Sequence, residues 1–219
     1  MDHIITMVEH GICVFSFDIL QEFLKKNKIR SKKLLDKFQK DDKLYIDMQK
    51  KGIWVPFVEI SSFDCMIKLE GFDEPFNELW EQKLEYSGFN IEIENGLWIS
   101  STGSFLTFKP NEYMGEEGSY EIEFGRKSYY DAYKICYETE ACIGKGESTT
   151  WVKQLVYTDF KYDVPSGKYL LSVKGYARKK RLESPGVNCG FLFALEKVEE
   201  FDGFKNPREE IYDFNVVKM

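Results

Sequence analysis

The spacing of apolar residues changes character twice along this chain, at Asp18 and at Gly52. Ile4 to Phe17 is a run of β-branched, aliphatic and aromatic side chains around Gly11, which predicts a strand with a turn. Ile19, Leu20, Phe23 and Leu24 then recur at helical spacing behind Asp18, read as an N-cap. Ser31 is a second cap, ahead of Leu34, Leu35 and Phe38. Tyr45, Ile46 and Met48 follow the Asp41–Asp42 break, and Gly52 ends the helical region.

From residue 53 the period becomes two. Ile53 to Phe57 reads as a strand, and Pro56 places it at a sheet edge or a strand start because proline cannot donate to a ladder. Residues 73–86 (DEPFNELWEQKLEY) return to helical spacing at Phe76, Leu79, Trp80 and Leu84, predicting one short helix. NIEIENGLWI alternates on both sides of Asn95-Gly96, a pair that tolerates positive φ, and predicts a two-residue hairpin. Further strands are expected at 119–124, 129–138, 151–162, 167–178, 189–198 and 211–217, separated by glycine- and proline-bearing turns.

Short strands with frequent turns, and no βαβ alternation after residue 87, predict a mainly β fold. The expected form is a two-sheet antiparallel β-sandwich with an N-terminal helical insertion and one short helix. The chain of 219 residues reads as a single domain, with the insertion at 18–52 and the sandwich core at 53–219.

Composition sharpens this picture. Apolar residues are 43% and charged residues 31%, the balance of a soluble globular chain, and aromatics reach 16%. Asp2, His3, Glu9 and His10 interrupt the start, so no signal peptide is read there. The longest apolar run is far short of a membrane span, and a cytoplasmic protein is expected. Five cysteines at irregular spacing are expected to be reduced thiols. Charge is unevenly spread. Residues 70–147 hold seventeen Asp/Glu against six Lys/Arg, whereas residues 25–51 hold eleven Lys/Arg against four Asp/Glu. The net charge of −7 disfavours general nucleic-acid affinity.

Catalytic equipment is sparse. Only His3 and His10 exist, and His10 with Cys13 is the one imaginable base and nucleophile pair. No zinc-ligand spacing, phosphate loop or nucleophile elbow occurs, so no metal or cofactor is expected. The pairs Glu92/Glu94 and Glu121/Glu123 would share strand faces and offer a glycosidase's two carboxylates, with Trp98 or Trp151 to stack on sugar. They read more simply as the solvated side of strands whose other face is core. Residues 18–38 loosely resemble a helix-turn-helix but lack a glycine turn and polar base-reading residues.

Phe160 to Val173 (FKYDVPSGKYLLSV), followed by the apolar strand Gly190 to Val198, resembles the closing strands of competence-nuclease inhibitors (ComJ-like). The likeness spans roughly residues 160–198, and the whole chain more loosely resembles bacterial toxin immunity proteins. That resemblance implies a non-enzymatic inhibitor that occludes a toxin. Nuclease sites are basic, so acidic side chains with aromatic anchors would suit them. The candidate contacts are Glu92, Glu94, Tyr113, Glu116, Glu117, Tyr129 and Tyr130, and the expected partner is a basic protein, with neither membrane nor nucleic acid. Two alternatives stand beside this: a carbohydrate-binding or carbohydrate-processing sandwich, and a DNA-binding regulator acting through residues 18–38.

Overall fold

A computed structural model describes residues 3–7, 11–62, 64–114, 126–132, 152–183 and 186–217. The fold is mainly β, as the alternating pattern predicts, with two five-stranded sheets face to face. The first sheet runs β1 (His3–Thr6), β4 (Asp64–Leu69), β10 (Cys189–Val198), β9 (Gly167–Arg178), β5 (Trp80–Ile93). The second runs β3 (Trp54–Phe57), β2 (Ile12–Phe15), β6 (Leu97–Ser101), β8 (Val152–Tyr162), β7 (Arg126–Ala132). Pro56 sits on β3, which pairs only with β2 among the described residues, so the edge position follows from its missing donor. One ladder departs from the antiparallel expectation: β4 and β10 are parallel, with Cys65 opposite Cys189.

Alternation on the second sheet serves two cores. Ile12, Val14, Val55, Phe57, Leu97 and Ile99 face the first sheet across the sandwich. Cys13, Phe15, Trp54 and Trp98 point the other way, into a core shared with the helices. Those helices, α1 (Phe17–Lys26), α2 (Leu34–Lys40) and α3 (Asp42–Lys51), lie between β2 and β3 in the chain. They bury Leu20, Phe23, Leu34, Leu35, Phe38, Tyr45 and Met48 against the sheet. The result is three layers, and it explains why β2 and β3 carry unbroken apolar runs.

Gly52 joins the helical layer to the sandwich. It ends α3 in the left-handed conformation at φ 66°. Its carbonyl accepts a hydrogen bond from the Glu92 amide at 2.8 Å, on the free edge of β5. A Cβ there would stand 2.8 Å from that amide nitrogen and 2.9 Å from Ile91 Cα, so glycine is needed twice over.

Four expectations are corrected. Asn95 and Gly96 do adopt positive φ, 56° and 100°, but no hairpin forms, because β5 and β6 belong to opposite sheets and the turn arches between them. In a two-residue hairpin Ile93 would oppose Trp98 and Glu92 would oppose Ile99, mixing carboxylates with core residues on one face. The arch instead lets Ile91, Ile93, Leu97 and Ile99 share one core. Ser16 holds the arch in place: its hydroxyl donates to the Glu94 carbonyl at 2.6 Å and accepts from the Glu94 amide at 3.0 Å.

Residues 73–79 form no helix, and β5 begins at Trp80. Phe76 and Trp80 are helically spaced because both pack on the outer face of the first sheet. The Phe76 ring lies 4.9 Å from Trp80 and 4.4 Å from Tyr176, over Gly190, where a Cβ would fall 2.4 Å from the ring. The tail at 211–217 is not a strand. Asp213 accepts from the Asn215 amide, an Asx turn that diverts the chain, while Phe214 and Val216 still reach the core. The N-cap of α1 is Ser16, and Asp18 lies in the first turn, where its carboxylate accepts from Asn95.

Cys13, Cys65 and Cys189 are free and buried, while Cys136 and Cys142 lie outside the described residues, as does the strand expected at 119–124. Among the described residues no helix is long and apolar enough to cross a membrane.

Candidate functional site

The structure scatters the residues singled out in the sequence. Glu92 is half-buried near the end of β5, opposite Lys168. Glu94 is exposed on the arch. Glu81 and Glu92 lie near opposite ends of β5, and Glu94 lies beyond it. Lys168 and Lys174 on β9 answer part of this charge, the latter 3.5 Å from Glu85. Tyr113, on the single-turn α4 (Asn111–Met114), is a correction: it is only 6% exposed, and its hydroxyl donates to the buried Asp159 carboxylate at 2.9 Å. It is an interior residue, not a contact. Tyr129 and Tyr130 lie on the edge strand β7, opposite Leu155 and Gln154. Glu116 and Glu117 lie outside the described residues, as do His10 and Trp151. Trp98 is 2% exposed in the helical core and offers no face to a sugar.

His3 does find polar partners. Its Nδ1 lies 2.9 Å from the Tyr162 hydroxyl, which donates to Asp73 at 3.0 Å, while Asp73 also accepts from the Leu69 amide. Burial, and then the Asp73 carboxylate, push the Tyr162 phenol well above its ordinary range. A phenol so held keeps its proton at neutral pH and is no general base. The cluster ties β1 and the segment after β4 to β8, and so clamps the two sheets. Among the described residues no three metal-ligating side chains converge.

A large concave surface lies elsewhere, between α2, the end of β3 and the C-terminal tail. It is a cleft of about 740 Å³. Val58 and Tyr212 give it a half-buried apolar wall over the buried Trp54 and Phe214, and Glu59, Glu209, Glu210 and Asp213 line it with four carboxylates. Glu59, Glu209, Glu210 and Asp213 are exposed, and Glu59 is held at φ 64°, which turns the chain out of β3. Thr102, 1% exposed, also lines the cleft, and its buried hydroxyl has no hydrogen-bond partner among the described residues.

Among the described residues the cleft has one lining cation, and the helical layer engages it. Arg208 lays its guanidinium over the Tyr45 ring, 3.5 Å from the centroid, and donates to the Phe38 carbonyl at 3.3 Å. Burial draws the guanidinium down from its ordinary value and pushes the Tyr45 phenol up. Arg208 thus fastens the tail to α2 and α3 and leaves the exposed Glu59, Glu209 and Glu210 to solvent. The sequence signal is PREEIYDF, with three carboxylates after one arginine in eight residues. The strand expected at 211–217 covers only Asp213 of them, and Glu209 and Glu210 carry no pattern of their own.

Against known proteins, no family model, no curated protein and no solved structure matches the chain.

Proposed function

We propose that this protein is a non-enzymatic inhibitor that binds a basic protein, a toxin nuclease in the first instance, and occludes it with the acidic cleft. The observation that carries the reading is the cleft itself: an apolar wall, a rim of carboxylates and, among the described residues, a single lining cation laid over Tyr45. A nuclease presents lysines and arginines where it holds phosphate. Their aliphatic stems suit the half-buried Val58 and Tyr212 side chains, and their charged heads suit Glu59, Glu209 and Glu210. Carboxylates in place of phosphates would block the site without chemistry, and the negative field would speed encounter. The resemblance of residues 160–198 to competence-nuclease inhibitors points the same way, and the proposed setting is the bacterial cytoplasm.

The test is inhibition of DNA cleavage across a panel of purified basic nuclease domains. One member at least should be silenced at stoichiometric concentration. Uninhibited cleavage by the whole panel would reject the reading.

A further inference from the structure

A second concave surface shares no lining residue with the acidic cleft and has the opposite charge. It is a groove of about 670 Å³ along α1 and the turn that follows, closed on its far side by Phe108 and Pro110. Lys25, Lys28, Arg30 and Lys32 line it, and among the described residues none of the four has an ion-pair partner. Of the five lysines on α2 and α3, Lys37, Lys40 and Lys51 differ in lying within 4 Å of an aspartate one turn away, and Lys50 lies over the Phe204 ring. Gln21 also lines the groove, and its buried Nε2 has no hydrogen-bond partner among the described residues.

The backbone that presents these cations is fixed. The Ile29 amide donates to the Leu24 carbonyl and the Lys28 amide to that of Lys25, the paired bonds of a Schellman cap. The position between them wants glycine, because φ there is positive, yet Lys28 occupies it at φ 54°. The Phe108 amide then donates to the Lys32 carbonyl at 2.8 Å and pins the turn's far end. A strained lysine on a pinned turn, beside an unpartnered amide donor, is an arrangement that stability alone does not favour.

We infer that Lys28, Arg30 and Lys32 form a binding groove for the phosphates of a nucleic-acid strand. Lys28 and Lys32 supply point charges and Arg30 a fork that matches phosphate oxygens, which together suit a repeating phosphodiester. The groove's other end carries Asp18, already engaged by Asn95, and Glu22. Those carboxylates repel a uniformly anionic membrane or an acidic peptide, whereas the amino groups of bases can donate to them. The helices themselves do not form a helix-turn-helix: α2 has seven residues and buries Leu34, Leu35 and Phe38.

The experiment is fluorescence anisotropy of a labelled 20-nucleotide single strand with the full chain, at 50 and 200 mM KCl. Binding at 50 mM should weaken at least tenfold in the triple variant Lys28→Gln, Arg30→Gln, Lys32→Gln, and its salt slope should fall by about 2, at roughly 0.7 per phosphate contact. The ion-paired control Lys37→Gln, Lys40→Gln, Lys51→Gln should bind within twofold of wild type. Lys28→Gly should melt at the same or a higher temperature and still bind severalfold more weakly, which separates ligand contact from folding. No binding at 50 mM, a triple variant that binds like wild type, or capture by phosphatidylserine vesicles without oligonucleotide binding would each overturn the inference.

Discussion

Phe57→Ala should be among the most damaging single truncations in this protein, at about 4 kcal/mol. Phe57 is 1% exposed, and its ring lies 5.6 Å from Phe89, 5.6 Å from Phe193 and 5.0 Å from Phe214. It projects from β3 of one sheet onto β5 and β10 of the other and onto the tail. Truncation removes the contact that holds three separate parts of the chain to one point, and the close packing of those rings leaves little room to collapse into the void. A domain of ordinary stability has about 5–15 kcal/mol in total, so this loss is a large share. Urea denaturation should show the midpoint falling by about 2 M with an unchanged slope of roughly 2 kcal/mol per M. Ile211→Ala, on a side chain 70% exposed, should shift the midpoint by under about 0.3 M. Comparable shifts for the two variants would mean that the core is not centred on Phe57.

Gly52→Val should cost about 3 kcal/mol for two separable reasons. A β-branched residue at φ 66° is strained wherever it sits, and at Gly52 its Cβ also meets the β5 backbone at 2.8 Å. Main-chain atoms in a ladder cannot step aside as a flexible side chain can. The matched control is Gly71, which has φ 85° but open space around it. Gly71→Val should carry the conformational part alone, about 1 to 2 kcal/mol. Melting temperatures should fall by about 9 °C for Gly52→Val and by clearly less for Gly71→Val, at roughly 3 °C per kcal/mol for a chain of this size. Equal shifts would show that the contact between the helical layer and β5 contributes nothing.

Local chemistry made much of the fold legible. The helical run between Asp18 and Gly52, the left-handed cap at Gly52 and the edge position of Pro56 all follow from what single residues can and cannot do. The failures share one cause, which is that periodicity reports exposure and not pairing. Asn95-Gly96 was read as a hairpin from its turn chemistry, although the parity of Ile93 and Ile99 already conflicts with pairing in one sheet. Phe76 and Trp80 matched a helix because a loop lying on a sheet can bury residues four apart. For the candidate site, the acidic run of 70–147 is plain in the sequence, but β5 holds only Glu81, Glu85 and Glu92 of it, the last two opposite lysines, and Glu116, Glu117, Glu121 and Glu123 lie outside the described residues. The cleft that concentrates carboxylates draws its walls from Leu35 to Phe214, and a contact that distant leaves no local signal.

The account rests on the claim that this cleft, and not the acidic stretch as a whole, meets a basic partner. Stopped-flow association with an inhibited nuclease domain tests it most directly, over 20 to 300 mM salt. The two proteins to compare are Glu59→Lys, Glu209→Lys, Glu210→Lys and Glu70→Lys, Glu74→Lys, Glu78→Lys. Steering reaches about 10 Å at 0.1 M salt, so charges at the contact dominate the rate. The cleft variant should associate at least tenfold more slowly than wild type at low salt and lose most of the salt dependence, while the second variant stays within about threefold. Equal rates for the two variants, or a wild-type rate indifferent to salt, would contradict the assignment of the cleft as the inhibitory surface.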